Sequence, residues 1–223
     1  MTLFFMHITK TAGGSLKELF KTAATEGHDI GFHYPDEPGF RPFFDYKALP
    51  EIIFGHYSYG VHERVDAKAD YACFLREPIS RTISHYHHLK NNDTGNIGKN
   101  LRSFESIEQY LKYGRHWEFD NFLTRNLSGV ANQTPFGGVS CTIYEKARYN
   151  LRCNFRFVGI FEHMQESLRR LQQVLPIRAG NPPEVNIGTY SRETSAEELR
   201  MLRALNRFDE MLYEEALDRF ERP

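Results

Sequence analysis

The chain has 223 residues, of which 40% are hydrophobic and 26% are charged, and its formal net charge is −1. This length and composition suffice for one sizeable core, so we predict a single domain over residues 1–223. The balanced charge argues against nucleic-acid or acidic-membrane binding through a general positive field, so any bound anion requires a local arrangement of donors. No stretch of the sequence approaches the roughly 20 apolar residues of a membrane span.

The first segment predicts a strand, a tight turn and a helix. Residues 3–8 are an apolar run, the turn at 9–14 contains Lys10, and from Ser15 the apolar residues follow a helical period. The N–H groups and dipole of a helix N-terminus attract anions, and a lysine adds a mobile positive charge. The pattern therefore predicts an anion site, although a βα connection that binds nothing remains the alternative for this stretch alone. Its residues are Lys10, Thr11, Ala12, Gly13, Gly14 and Ser15.

The rest of the chain predicts strands that alternate with helices. Residues 28–50 lack a period and form an irregular excursion that we expect to border a ligand site. Strands are predicted at 51–55, 71–75 and 155–160, and helices at 79–90, 106–113, 119–127, 142–151, 164–175 and from Ser195 onward. This alternation predicts an α/β fold with a central, mainly parallel sheet flanked by helices.

Three polar side chains follow the ends of predicted strands. They are Lys10, His56 and Arg76. Because the carboxyl ends of parallel strands meet at one edge of a sheet, where ligands of such folds bind, we expect these side chains to converge. The lysine comes before both glycines of the turn, so the first loop is not a Walker A loop.

Two stretches resemble the sulfotransferase family. Residues 7–15, HITKTAGGS, are similar to the 5′-phosphosulfate loop of the branch with the heparan sulfate 2-O- and 6-O-sulfotransferases, and depart from it at Thr9 and Gly14. Residues 71–86, YACFLREPISRTISHY, resemble the 3′-phosphate element. The resemblance implies a P-loop-like sulfotransferase fold and the donor 3′-phosphoadenosine 5′-phosphosulfate (PAPS), with the product 3′,5′-bisphosphoadenosine (PAP). By matching position, it implies Arg76 and Ser84 as 3′-phosphate ligands.

Two further stretches extend the resemblance. The sequence GHYSYG resembles a Gly-His element whose histidine acts as the catalytic base, which implies this role for His56, with His62 and His7 as weaker candidates. Residues 120–129, DNFLTRNLSG, resemble an element that would bring Asn121 and Arg125 to a ligand, and Arg81 is a further candidate. A structural ion pair on a helix is the alternative for this stretch. By the same resemblance, residues 185–192 fall where relatives place a segment that closes over the nucleotide.

The resemblance implies a sulfotransferase that uses PAPS to sulfate a hydroxyl group of a small-molecule or glycan acceptor, with carbohydrates or glycoconjugates favoured. Lys10 and His56 would be its catalytic residues. An NTP-dependent kinase, which would require Mg²⁺, and a non-catalytic nucleotide- or glycan-binding protein are the alternatives. We expect no metal, because clustered carboxylates and Cys/His ligand spacing are missing from the sequence. The predicted first strand begins almost at Met1, which favours a cytoplasmic, bacterial protein. The sequence does not indicate the oligomeric state.

Overall fold

The computed structural model describes residues 1–35, 42, 45–93, 95–175, 177 and 194–222. Within these residues one five-stranded sheet is formed by β1 (Thr2–Met6), β2 (Ile30–His33), β3 (Ile52–Gly55), β4 (Ala69–Leu75) and β5 (Phe155–Ile160). The strand order is β2-β3-β1-β4-β5, and every neighbouring pair is parallel.

Helices cover both faces of the sheet and one side of the molecule. They are α1 (Gly13–Thr25), α2 (Pro78–Asn92), α3 (Asn96–Arg102), α4 (Ile107–Tyr113), α5 (Phe122–Ser128), α6 (Cys141–Cys153), α7 (Met164–Val174), α8 (Ala196–Leu205) and α9 (Arg207–Glu221). Among the described residues, no helix is both long enough and apolar enough to cross a membrane.

The central strands are apolar along their whole length because both faces of the sheet are covered. In β1, Phe4 and Met6 pack into the core formed with α5, α6 and α9, whereas Leu3 and Phe5 pack into the core formed with α1 and α7. A third cluster joins α2, α3, α4 and α8 beside the sheet. Strands β1 and β4 are parallel neighbours, so their carboxyl ends lie at the same end of the sheet.

The predicted fold class is confirmed, and two elements were missed by the sequence analysis. One is β2, a four-residue edge strand within the predicted irregular segment 28–50. The other is the seven-residue α3. The segment 185–192 lies outside the described residues, as do 36–41, 43 and 44 of the first long loop.

Candidate functional site

A pocket of about 1310 Å³ opens where β1, β3 and β4 end. Lys10, His56, Arg76 and Ser84 line it, although these residues come from three separate parts of the sequence. The residues at the start of α1 that the sequence analysis assigned to an anion also line the pocket, namely Ala12, Gly13, Gly14 and Ser15. The structure therefore brings together the side chains that the strand ends predicted to converge.

The turn between β1 and α1 presents an uncapped helix end to this pocket. Lys10 and Ala12 both have left-handed backbone conformations, with φ of 70° and 67°. Such conformations cost about 1–3 kcal/mol for a residue with a Cβ atom, and they are concentrated at functional sites. Among the described residues, no side chain caps the N-terminus of α1, and its first turn contains no acidic residue. The first N–H groups of the helix are thus available to an anion.

Thr11 differs from its neighbours because its side chain points into the protein. Its hydroxyl donates a hydrogen bond to the Ile8 carbonyl at 2.7 Å, and the residue is 1% exposed. The side chain does not line the pocket. The prediction that Thr11 binds the donor is therefore corrected: its hydroxyl group stabilises the turn and does not face the pocket.

Lys10 and Arg76 place two positive charges next to each other. Arg76 Nη1 donates to the Lys10 carbonyl at 3.2 Å, and the guanidinium lies 4.4 Å from the centroid of the Phe161 ring. Partial burial lowers the pKa of the Lys10 ammonium, and the nearby Arg76 charge lowers it further. Two adjacent cations in a pocket favour an anionic ligand, because it would relieve their repulsion.

Ser84 reaches the pocket because α2 begins directly after Arg76. The Glu77 carboxylate accepts hydrogen bonds from the N–H groups of Ile79 and Ser80, at 2.9 and 2.7 Å, and so caps the helix. Pro78 occupies the first helical position, where its missing N–H has no consequence. The capped helix then presents Ser84 to the cavity.

His56 is oriented by the backbone of β1. Its Nδ1 lies 2.8 Å from the His7 carbonyl, which can only accept a hydrogen bond. The neutral ring therefore carries its proton on Nδ1 and its lone pair on Nε2. The rings of His7 and His56 stack with centroids 4.3 Å apart, and the Tyr34 ring meets His56 edge-on at 4.8 Å.

His7 contacts both His56 and Tyr34. Its Nδ1 lies 2.8 Å from the Tyr34 hydroxyl, and burial together with the neighbouring His56 lowers its pKa well below the usual value. A Cβ atom at Gly13 would lie 1.3 Å from His7 Nε2, so a larger residue there would displace the His7 ring from its place beside His56. The same test at Gly14 meets open space.

The sulfotransferase family model matches residues 2–221. The chain belongs to the sulfotransferase family. This agrees with the resemblance that the first loop and the Arg76–Ser84 stretch indicated.

Two solved structures are similar to this sulfotransferase. The crystal structure of a sulfotransferase from Alicyclobacillus acidocaldarius has a TM-score of 0.50 and 15% identity, and the match covers 100% of this chain and 99% of that one. The mouse sulfotransferase SULT7A1 complexed with PAP has a TM-score of 0.48 and 17% identity over 94% of this chain. This chain spans 66% of the length of the mouse protein. No curated protein matches the chain significantly. The first comparison confirms the P-loop-like sulfotransferase fold.

The stretch 120–129 of this sulfotransferase holds helices together rather than lining the pocket. Asn121 Oδ1 accepts hydrogen bonds from the N–H groups of Phe208 and Asp209, at 2.9 and 3.4 Å, at the start of α9. In return the Asp209 carboxylate accepts from the N–H groups of Leu123 and Thr124, both at 2.8 Å, at the start of α5. Asn121 is 5% exposed and does not line the cavity, so its predicted ligand contact is corrected.

Arg125 is also corrected to a structural residue. It is 0% exposed and pairs with the buried Asp120 carboxylate. Its remaining donors bind backbone carbonyls, including those of Ala131 and Pro135, at 3.1 and 2.8 Å. The guanidinium thus holds the loop that follows α5, and no donor is directed at the pocket.

Arg81 is likewise fully buried and outside the pocket. Its Nη2 donates to the Glu118 carbonyl at 3.1 Å, and its guanidinium lies 4.5 Å from the Phe122 ring centroid. The predicted ligand contact is therefore corrected here too. Burial lowers the pKa of Arg81 to about 10, which leaves it positively charged at neutral pH.

Several pocket residues were not predicted as site residues. Ser58 donates a hydrogen bond to Asn126 Oδ1 at 3.0 Å, and both residues line the cavity. Trp117 and Glu118 line it as well, together with His85. Trp117, Glu118 and Asn126 reach the pocket through tertiary packing, which local patterns do not encode.

The two weaker candidates for the catalytic base lie in different places. His62 Nδ1 lies 2.8 Å from the Tyr71 hydroxyl, and this histidine does not line the pocket. His7 lines the pocket and stacks on His56. Within the described part of the chain, no group of three or more His, Cys, Asp or Glu side chains could hold a metal ion.

Proposed function

We propose that this chain transfers a sulfuryl group from PAPS to a hydroxyl group of an acceptor, with carbohydrates or glycoconjugates as the favoured class. The observation that carries this proposal is that one pocket contains two neighbouring anion-binding features. One is the uncapped N-terminus of α1 with Lys10, and the other is Arg76 with Ser84. PAPS carries two anionic groups, a 5′-phosphosulfate and a 3′-phosphate, and so matches this pair.

Each feature suits one of those groups. The N–H groups at the start of α1 and the Lys10 ammonium would bind the 5′-phosphosulfate. Arg76 offers a planar fork of donors and Ser84 a hydroxyl, which together suit the three oxygens of the 3′-phosphate. The positive charge of both features is local, in agreement with the net charge of −1 for the whole chain.

The transfer step follows from the position of His56 in the same pocket. The acceptor oxygen attacks sulfur, the bond between sulfur and the bridging oxygen of the 5′-phosphate breaks, and PAP is released. Nε2 of His56 takes the proton of the acceptor hydroxyl, because the neutral ring keeps its own proton on Nδ1, where it bonds the His7 carbonyl. Lys10 stabilises the negative charge that grows on the leaving phosphate. We expect none of these steps to require a metal ion.

The proposal is tested with ³⁵S-labelled PAPS in the presence of EDTA. We expect release of PAP together with labelling of an acceptor from a panel of sugars. The kinase alternative is tested in parallel with γ-labelled ATP and Mg²⁺. Phosphoryl transfer from ATP, with PAPS left intact, would overturn the proposal.

A further inference from the structure

The pocket extends to a wall that none of the proposed donor-binding residues forms. We call this the Glu118 wall, and it consists of His85, Trp117, Glu118 and Phe122. The Trp117 and Phe122 rings stack with centroids 5.6 Å apart and an interplanar angle of 26°. The wall thus combines an aromatic surface with one carboxylate.

The Glu118 carboxylate is held in its ionised form. Its Oε2 lies 2.7 Å from His85 Nε2, and His85 Nδ1 has no hydrogen bond within the described residues. Burial lowers the pKa of His85, so the neutral ring donates from Nε2. Burial alone would raise the pKa of Glu118, but the hydrogen bond from His85 and the positive charges of nearby groups, His116 and Arg81 among them, bring it below the usual value.

The second oxygen of the Glu118 carboxylate, Oε1, does not bond to His85. In the described part of the chain, no hydrogen bond reaches Glu118 Oε1, although only 21% of the side chain is exposed. The two other carboxylates that line the pocket are already paired. Asp93 accepts from the N–H groups of Gly95 and Gly98, at 2.8 and 2.7 Å, and Glu18 pairs with Lys21 at 2.8 Å. Oε1 is not among the fully buried side-chain atoms that lack a partner, so it is open to the pocket and can accept a hydrogen bond from a ligand.

The charges around the wall favour an uncharged donor. Among the described residues that line the pocket, the permanent cations are Lys10 and Arg76, and both lie at the proposed donor site. The charge of buried Arg81 acts on the Glu118 carboxylate from outside the pocket and lowers its pKa, while the Arg81 guanidinium donates to the Glu118 backbone carbonyl. An anionic acceptor would meet this carboxylate with no lysine or arginine beside it among the described residues that line the pocket, whereas a hydroxyl group meets an open acceptor oxygen.

We propose that Glu118 binds the acceptor, with Oε1 accepting a hydrogen bond from a hydroxyl group of an uncharged carbohydrate. The apolar face of the sugar ring would lie against Trp117 and Phe122. This inference rests on the proposed function, and it narrows the acceptor to neutral sugars rather than polyanionic glycans of the heparan sulfate type.

The chain provides its own reporter for the test, because Trp117 is its single tryptophan. Wild-type protein saturated with PAP is titrated with three kinds of trisaccharide while Trp117 fluorescence is followed. The uncharged probes are triacetylchitotriose, maltotriose and cellotriose, the cationic probe is chitotriose, and the anionic probe is trigalacturonate. We expect at least one uncharged probe to bind about tenfold or more tightly than both charged probes.

The role of the carboxylate is tested with Glu118→Gln and Glu118→Asp, and Glu18→Gln serves as the matched control. Glu118→Gln should weaken binding of the uncharged probe about tenfold or more, which corresponds to one lost hydrogen bond to a charged group. Glu118→Asp retains the charge but withdraws it by one methylene, and should also weaken binding. Glu18→Gln should bind the probe as wild type does, and all variants should keep the PAP affinity of the wild type.

Tighter binding of trigalacturonate or chitotriose would overturn the inference. So would failure of every uncharged probe to bind, or unchanged probe affinity in both Glu118 variants. In each of these cases PAP binding by the wild type would leave the proposed donor site standing. Failure of the wild type to bind PAP would instead overturn the proposed function, and the inference with it.

Discussion

Two groups of polar residues in this sulfotransferase have opposite environments. The first, the pocket rim, lies where the strands end and consists of Lys10, His56, Arg76 and Ser84. The second, the helical junction, lies outside the pocket and consists of Asn121, Arg125 and Asp209. Each group contains an arginine.

The difference lies in what the protein itself supplies. In the junction, Arg125 donates to four backbone carbonyls and to Asp120, and Asn121 and Asp209 cap each other's helices. At the rim, the turn leaves the first N–H groups of α1 without a side-chain cap. Polar groups satisfied by the chain stabilise the fold, whereas uncapped donors and clustered cations are suited to a ligand. Rim variants should therefore change chemistry, and junction variants should change stability.

The largest effect is expected at His56. His56→Ala should slow transfer by about 10²–10⁴-fold, the usual contribution of a positioned base. In the wild type, kcat/KM should rise with pH along an acid limb, because the base must be deprotonated, and the variant should lose this limb. The free energy of unfolding and the PAP affinity should change little. The measurement is the pH profile of ³⁵S transfer.

His62→Ala is the matched control, since His62 pairs with Tyr71 outside the pocket. It should keep both the rate and the acid limb. Near-normal transfer with the same acid limb in His56→Ala would exclude His56 as the base.

The next effect is expected at the helical junction. Arg125→Ala leaves the Asp120 carboxylate buried without its cation, which should lower the free energy of unfolding by about 3–5 kcal/mol. Urea unfolding measures this loss, and the folded fraction should bind PAP normally. Arg169→Ala is the control, because Arg169 is 58% exposed and solvent screens its ion pair with Glu166, so this variant should unfold almost as the wild type does. If Arg125→Ala kept full stability but lost PAP binding, Arg125 would be a ligand-binding residue and not a structural one.

A loss of about 10²-fold in rate is expected for Lys10→Ala, because the ammonium stabilises charge that grows in the transition state. PAP affinity should fall much less than kcat does. Single-turnover transfer and PAP titration separate the two quantities. Lys21→Ala, which removes an exposed lysine paired with Glu18, should behave as the wild type. If kcat stays within about threefold while PAP affinity collapses, Lys10 only binds the nucleotide.

The sequence was sufficient for those parts of the molecule that local patterns determine. The strand, turn and helix around Lys10 and the strand before Arg76 were predicted from apolar periodicity, and their convergence followed from parallel topology. The edge strand β2 was missed because its four residues include Gly31 and depend on pairing with β3. Local propensity gives little signal for such a strand.

The sequence could not distinguish Arg76 from Arg125. Both stand in polar stretches, and only packing decides that Arg76 lines a cavity while Arg125 is enclosed by carbonyls. Glu118 was missed for the same reason, since its place beside His85 joins residues 33 positions apart. The family resemblance located the first loop and the Arg76–Ser84 stretch, but it did not separate structural from ligand-facing polar residues in the stretch 120–129.

The most direct test of the account compares PAP with 5′-AMP, which lacks the 3′-phosphate, by isothermal titration of the wild type and Arg76→Ala. We expect the wild type to bind PAP more tightly than 5′-AMP. Arg76→Ala should lose about 1.5–3 kcal/mol of PAP binding, the contribution of a charge-assisted contact, and almost none of its 5′-AMP binding. Equal losses for both nucleotides, or equal affinity of the wild type for PAP and 5′-AMP, would contradict the assignment of the pocket rim to PAPS.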